Sequence, residues 1–191
     1  TVNALPVPAI TGTLAFCSGA NSNLNAGPGF SSYLWSNGAT TQVLNVTTPG
    51  NYVVTVTNPS GCSASTNAVV AVNALPVPNI TGPIAFCQGS NTTLNAGSYS
   101  GYLWSNGATT PTITVSNPNT FTVTVTNANG CTGSDAQAVT VNPNPVPVMT
   151  GSAVCQGQNS PFTPGPGYSS YLWSNGSTAA TINVGTAGPY T

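Results

Sequence analysis

"NYVVTVTN", residues 51–58, alternates without a break. Tyr52, Val54 and Val56 fall on one face, Val53, Thr55 and Thr57 on the other. A period of two with one polar face describes an antiparallel strand half exposed to water. The stretch returns as "TFTVTVTN" at 120–127, with Phe121, Val123 and Val125 in the apolar places. Before it lie "QVLNV" (42–46), "TITV" (112–115) and "TINV" (181–184), which read as an earlier strand. After it, "AVVAVN" (68–73) and "AQAVTVN" (136–142) read as a last strand. No segment carries the helical period, and Pro and Gly interrupt too often for helices.

Further out, "SYLWSNG" at 32–38 is followed by "GYLWSNG" at 101–107 and "SYLWSNG" at 170–176, 69 residues apart each time. "PVP" at 6–8, 76–78 and 145–147 keeps nearly the same interval. A fixed period of this size marks a modular array. Short strands, about seven to each unit of roughly 70 residues, with Asn37-Gly38 and its copies supplying positive φ in tight turns, predict a small β-sandwich. The fold class is therefore all-β: tandem immunoglobulin-like antiparallel β-sandwich repeats of about 69 residues, the interval just read from the sequence. Repeat 1 is assigned to 1–73, with 1–3 the tail of a preceding strand. Repeat 2 covers 74–142. Repeat 3, at 143–191, is incomplete and lacks the counterpart of residues 54–70. Either the polypeptide continues, which is the favoured expectation, or a neighbouring molecule supplies the missing strands.

Trp35, Trp104 and Trp173 are expected in the core, with Trp35 at mid-strand. Tyr33 and Trp35 share a face, so a sugar-stacking platform is the competing reading. Tyr52, Phe121 and Tyr190, at the opening of a long strand, are also expected as core aromatics, in a place that suits a tyrosine-corner-like residue.

Charge excludes most chemistry. The chain has no Lys, Arg or His and a single acidic residue, Asp135, expected to be exposed near a turn. General acid–base catalysis and nucleophile–base pairs need groups that are absent. Zinc and calcium sites need ligand clusters that are also absent. No enzyme activity and no cofactor are expected. Without cations to neutralise phosphates, nucleic acid is not an expected partner. No run of 18 apolar residues predicts membrane insertion, and "TVNALPVPAI" does not read as a secretory signal. At 39% hydrophobic and nearly neutral, the chain should fold rather than stay disordered. Lys–Asn isopeptide staples are excluded with the lysines.

Five cysteines show no Cys-x-x-Cys spacing. One pair per unit predicts structural disulfides Cys17–Cys62 and Cys87–Cys131, with the partner of Cys155 outside the chain. Such a loop contributes roughly 4 kcal/mol by chain entropy, and disulfides of this kind belong outside the cytoplasm. Asn-x-Ser/Thr sequences at Asn45, Asn79, Asn91 and Asn175 are possible glycosylation positions. Attached sugar, O-linked or N-linked, would compensate for a surface without charge repulsion, and so would use of strand edges in self-association. The "ALPVPAITG" segments predict stiff, extended connections between units.

"TLNAG" (93–97), "YLWSNGATT" (33–41), "NYVVTVTNPSGC" (51–62) and "VVAVNALPVP" (69–78) resemble the tandem immunoglobulin-like repeats of secreted Bacteroidota surface proteins. Those are adhesins and gliding- or attachment-related proteins exported by the type IX system. The resemblance spans the whole chain. It implies a structural extracellular protein of the bacterial surface, a rod, stalk or filament without catalytic residues. The alternative is an adhesin module binding glycan or host protein through its loops. The related polycystic-kidney-disease-type domains carry Trp-x-Phe-Gly-Asp-Gly where this chain has Trp35-Ser36-Asn37-Gly38. In the third unit, Pro161 and Pro164 flank Phe162, which confines that strand to an edge or a bulge.

Overall fold

The computed structural model describes residues 2–191, and the chain divides into two compact units, Thr1–Thr140 and Val141–Thr191. The first unit contains two sandwiches of the same plan. In the first, strands β1 (Ala15–Cys17), β2 (Ser22–Asn25), β3 (Ser32–Trp35), β4 (Val43–Val46), β5 (Gly50–Thr57) and β6 (Ser63–Asn73) form a four-stranded sheet in the order β1-β6-β5-β3 and a β2-β4 ribbon. In the second, β7 (Ala85–Cys87), β8 (Thr92–Asn95), β9 (Gly101–Trp104), β10 (Thr112–Val115), β11 (Asn119–Thr126) and β12 (Thr132–Asn142) repeat it as β7-β12-β11-β9 and β8-β10. The described residues contain no helix.

The alternation of residues 51–58 is realised on β5. Val54 and Val56 are fully buried, while Val53, Thr55 and Thr57 are only partly covered on the outer side. Leu24 and Leu44 of the ribbon meet Trp35, Val54, Val56 and Val70 of the four-stranded sheet in one core. Leu94, Ile113, Trp104, Val123, Val125 and Val139 form its counterpart in the second sandwich. Each such Val or Leu side chain contributes about 1.5–3 kcal/mol when taken out of water. On the outer face, hydroxyl pairs replace charges: Thr55 with Ser65, Thr57 with Ser63 and Thr124 with Ser134, all at 2.9 Å. Cross-strand Thr–Ser bonds stabilise a sheet and leave it uncharged.

Four details differ from the sequence reading. Six strands form per sandwich rather than about seven. Pro6 and Pro8 cannot donate to a ladder, and the segment after them makes only an isolated bridge between Thr11 and Asn25. β1 pairs parallel with the end of β6, whereas every other pair in this sandwich is antiparallel. Trp35 and Trp104 end their strands instead of sitting in the middle. The N–H of Gly38 donates to the Trp35 carbonyl at 2.8 Å and the N–H of Trp35 to Ala39 at 2.8 Å, so the turn begins at the tryptophan. Gly38 alone takes positive φ, at 87°, and Asn37 accepts the Ala39 N–H through its side chain. Finally, Asp135 is half-buried within β12, opposite Val123 of β11, and not near a turn. Its carboxylate accepts the backbone N–H of Ile80 at 2.7 Å, which draws it inward.

The second unit holds β13 (Ser160–Phe162) and β14 (Ile182–Val184), paired antiparallel with Pro161 opposite Asn183. In this ribbon β13 has a partner on one side only, as its proline requires. Trp173 is buried there beside Phe162, with ring centroids 6.3 Å apart.

Candidate functional site

β6 ends at Asn73, and residues 74–84 connect it to β7 of the second sandwich. β1 lies along the last three residues of β6, in register Ala15–Ala71, Phe16–Val72 and Cys17–Asn73. The N–H of Ser18 closes this flank by donating to the Asn73 carbonyl at 2.8 Å. Cys17 is thereby fixed beside the outgoing chain.

On the other side of the junction stands the turn Asn127-Ala128-Asn129-Gly130-Cys131. The Asn127 N–H donates to the Cys131 carbonyl at 2.9 Å, and its side-chain oxygen accepts the N–H of Asn129 and of Cys131, each at 3.0 Å. The remaining donor of that amide holds the Ala74 carbonyl at 3.1 Å. One asparagine thus shapes the turn and ties it to the incoming chain. Cys131 is buried in the same turn.

The two cysteines meet across the junction. Cys17 and Cys131 form a disulfide with Cα atoms 5.6 Å apart, closing a sequence separation of 114. The bond joins two sandwiches, and Cys62, Cys87 and Cys155 are unbonded. The expected pairs Cys17–Cys62 and Cys87–Cys131 are therefore corrected. The reason is the length of β6. Cys62 immediately precedes its first residue and Cys17 lies beside its last, so its 11 residues separate them. At about 3.3 Å per residue this is far beyond the reach of a disulfide. Each sandwich carries one cysteine at its outgoing end and one at its incoming end, and only neighbours can bond. No sequence signal reveals this without knowing that "AFC" lies beside the end of the last strand.

The same parts recur where the chain comes into the first sandwich. Asn58 heads the turn to Cys62, with its N–H on the Cys62 carbonyl at 2.9 Å, and its amide holds the Ala4 carbonyl at 2.9 Å. The Cys62 sulfur lies 3.9 Å from the Asn3 carbonyl oxygen.

The aromatic residues fall into two groups. Trp35, Trp104 and Trp173 are 2–4% exposed, and their indole N–H groups donate to Thr41, Thr110 and Ala179 carbonyls at 2.7–2.8 Å. Buried and hydrogen-bonded, they offer no face for a sugar. Tyr52 and Tyr190, expected in the core, are instead only partly buried, because their hydroxyls reach out to donate to the Thr48 and Thr186 carbonyls at 3.0 and 3.2 Å. Phe121, which has no hydroxyl, is buried in their place. Asn45, Asn79, Asn91 and Asn175 are all on the exposed surface. Asn45 donates to Asn23 at 2.8 Å, and Asn175 accepts the Ser177 N–H at 3.0 Å.

Among the described residues, no three side chains of metal-binding type gather, and no helix is long and apolar enough to cross a membrane. The second unit encloses an apolar cleft of about 210 Å³ lined by Pro145, Pro147, Met149, Tyr171 and Trp173, among others.

No family model matches the chain, and no curated protein matches it. Among solved structures it is similar to murine CEACAM1b, at 9% identity over 71% of this chain and all of that one, with a TM-score of 0.36. It is also similar to a Ca2+-stabilized adhesin with which an Antarctic bacterium reaches out and binds ice, at 13% identity and a TM-score of 0.44. That match covers 83% of this chain and 57% of the adhesin chain. A third likeness is to a 1.5-MDa bacterial ice-binding adhesin, at 15% identity over 95% of this chain and 88% of that one, TM-score 0.40. The neighbours are immunoglobulin-like and bacterial adhesin domains, and at these scores the likeness carries no function across.

Proposed function

We propose that the chain is a structural segment of an extracellular bacterial rod or filament, built from repeats at 1–73, 74–142 and 143–191, and that it performs no catalysis. The observation that carries this reading is the Cys17–Cys131 disulfide, which spans a junction between sandwiches rather than the inside of one. A covalent bridge beside the Asn73–Ala74 peptide leaves two connections between neighbours, so the junction resists bending and extension. By chain entropy a loop of this size is worth about 5 kcal/mol. A stable disulfide also supports an oxidising, extracellular setting.

The uncharged outer face supports the same reading. Hydroxyl ladders supply no charge to attract phosphate or a charged substrate and none to repel a like surface. Exposed Asn45, Asn79, Asn91 and Asn175 leave room for attached glycans. The sequence motifs further suggest a Bacteroidota surface protein. Electron micrographs of native material test the reading: rods or filaments are expected, and compact monomers would sink it. The adhesin alternative predicts specific glycan or host-protein binding by the intact chain on an array, with the buried tryptophans uninvolved.

A further inference from the structure

Asn-Gly pairs begin at Asn37, Asn106, Asn129 and Asn175, and all four asparagines are exposed. Such a pair carries a chemistry of its own. Glycine has no side chain to keep its backbone nitrogen away from the asparagine Cγ, so the two can close a five-membered ring. Two hydrogen bonds restrain that approach, one on the glycine N–H and one on the carboxamide. The three Trp-Ser-Asn-Gly turns have both. Gly38, Gly107 and Gly176 donate to the carbonyls of Trp35, Trp104 and Trp173 at 2.8 Å. Asn37, Asn106 and Asn175 accept the N–H of Ala39, Ala108 and Ser177 at 3.2, 3.1 and 3.0 Å. A buried indole anchors each of these turns.

Asn129 differs on both counts. The Gly130 N–H reaches the Asn127 carbonyl at a longer 3.0 Å. Asn129 is held through its backbone N–H alone, and its carboxamide has no partner among the described residues. The first sandwich shows that the turn does not need this amide. There Ser60 takes the same place in Asn58-Pro59-Ser60-Gly61-Cys62, and the backbone bonds match: Ser60 and Cys62 on the Asn58 side chain, Gly61 on the Asn58 carbonyl, each at 3.0 Å. The turn is built by its first asparagine. The amide at its third residue is exposed, untethered and without a structural task.

We infer that Asn129 is a self-modification site, where the chain deamidates ahead of its other Asn-Gly pairs and loosens the turn that carries Cys131. The exposed turn opens locally, freeing the Gly130 N–H. The nitrogen loses its proton to solvent and bonds to Cγ of Asn129, and the carboxamide nitrogen takes up a proton and leaves as ammonia. Water then opens the resulting succinimide. Cleavage of the N–Cγ bond gives aspartate; cleavage of the bond from nitrogen to the main-chain carbonyl carbon gives isoaspartate. The balance is one carboxamide and one water in, one carboxylate and one ammonium out, with no electron transferred. Isoaspartate puts an extra carbon into the backbone between Asn127 and Cys131, inside the ring that the Asn127 N–H closes on the Cys131 carbonyl. That ring also positions the amide that grips Ala74.

The test ages the whole oxidised 191-residue chain in mildly alkaline buffer and separates acidic forms by isoelectric focusing. With a formal net charge of -1, the chain shows each conversion as a separate band. Trypsin has no site here, so a chymotrypsin-type protease maps the bands, and electron-transfer fragmentation tells aspartate from isoaspartate. Expected is conversion at Asn129 roughly fivefold or more ahead of Asn37, Asn106 and Asn175, the factor that one hydrogen bond is worth. In the reduced chain in urea the four should convert at similar rates, because glycine follows each of them. Asn129→Ser should abolish the first acidic band and keep the Cys17–Cys131 pair and the urea midpoint, as Ser60 keeps the matching turn. The isolated isoaspartate form should unfold at lower urea than the parent. Similar rates at all four sites in the folded chain, a Trp-Ser-Asn-Gly site converting first, or the same ranking in urea overturns the inference. An unchanged midpoint of the isoaspartate form overturns its effect on the junction. The rod reading stands or falls separately, on the micrographs.

Discussion

The backbone N–H of Ile80 donates to the carboxylate of Asp135 at 2.7 Å, so the one acidic side chain of the protein holds the connecting segment against β12. Ile80 is buried, and without this acceptor its N–H has lost water for nothing. Asp135→Ala should cost about 1–2 kcal/mol, the range for a lost charged hydrogen bond at a half-exposed position. Asp135→Asn keeps an acceptor oxygen and should recover most of it. Urea midpoints of the oxidised protein decide, and equal midpoints for the alanine variant and the parent would remove this role.

Peptide mapping of the folded, oxidised chain should find Cys17 joined to Cys131. Recovery of Cys17 with Cys62 would contradict the parallel placement of β1 beside the end of β6. Reduction should lower stability by up to about 5 kcal/mol on the chain-entropy scale, read as a fall in denaturant midpoint.

The Asn127 side chain makes three hydrogen bonds that shape the Cys131 turn and fix Ala74. Asn127→Ala should destabilise by about 1–3 kcal/mol. It should also shift the Cys17–Cys131 pair toward the reduced form in a glutathione redox buffer, because the cysteine is no longer held in place. An unchanged redox midpoint would separate the turn from the bond.

Two glycines separate strain from space. Gly12 and Gly38 both have positive φ, but a Cβ on Gly12 would run into the Asn23 carbonyl oxygen, whereas Gly38 faces open space. Gly38→Ala should cost about 1 kcal/mol, the conformational strain alone. Gly12→Ala must also move β2 and should cost clearly more, measured by thermal unfolding. A smaller loss at Gly12 would refute the close approach.

Trp35 fills the first core and donates its indole N–H to Thr41. Trp35→Ala should cost about 3–5 kcal/mol, and Trp35→Phe less, leaving the Thr41 carbonyl without its donor. Similar midpoints for both variants would show that the hydrogen bond, not the ring, dominates.

Much was decided by sequence alone. Alternation over 51–58 and 120–127 determined which valines are buried, because side chains on a strand point to opposite faces in turn. The repeated Tyr-Leu-Trp determined that tryptophan faces inward, and the missing Lys, Arg and His set which chemistries were not to be expected. The pairing of cysteines was not decided at that level. Local pattern fixes which face a residue shows, but a disulfide depends on where strand ends arrive in space. Only the parallel placement of β1 beside Asn73, and the grip of Asn127 on Ala74, bring Cys17 to Cys131. Asp135 follows the same logic: its acceptor role depends on a backbone amide 55 residues away, which no local pattern encodes.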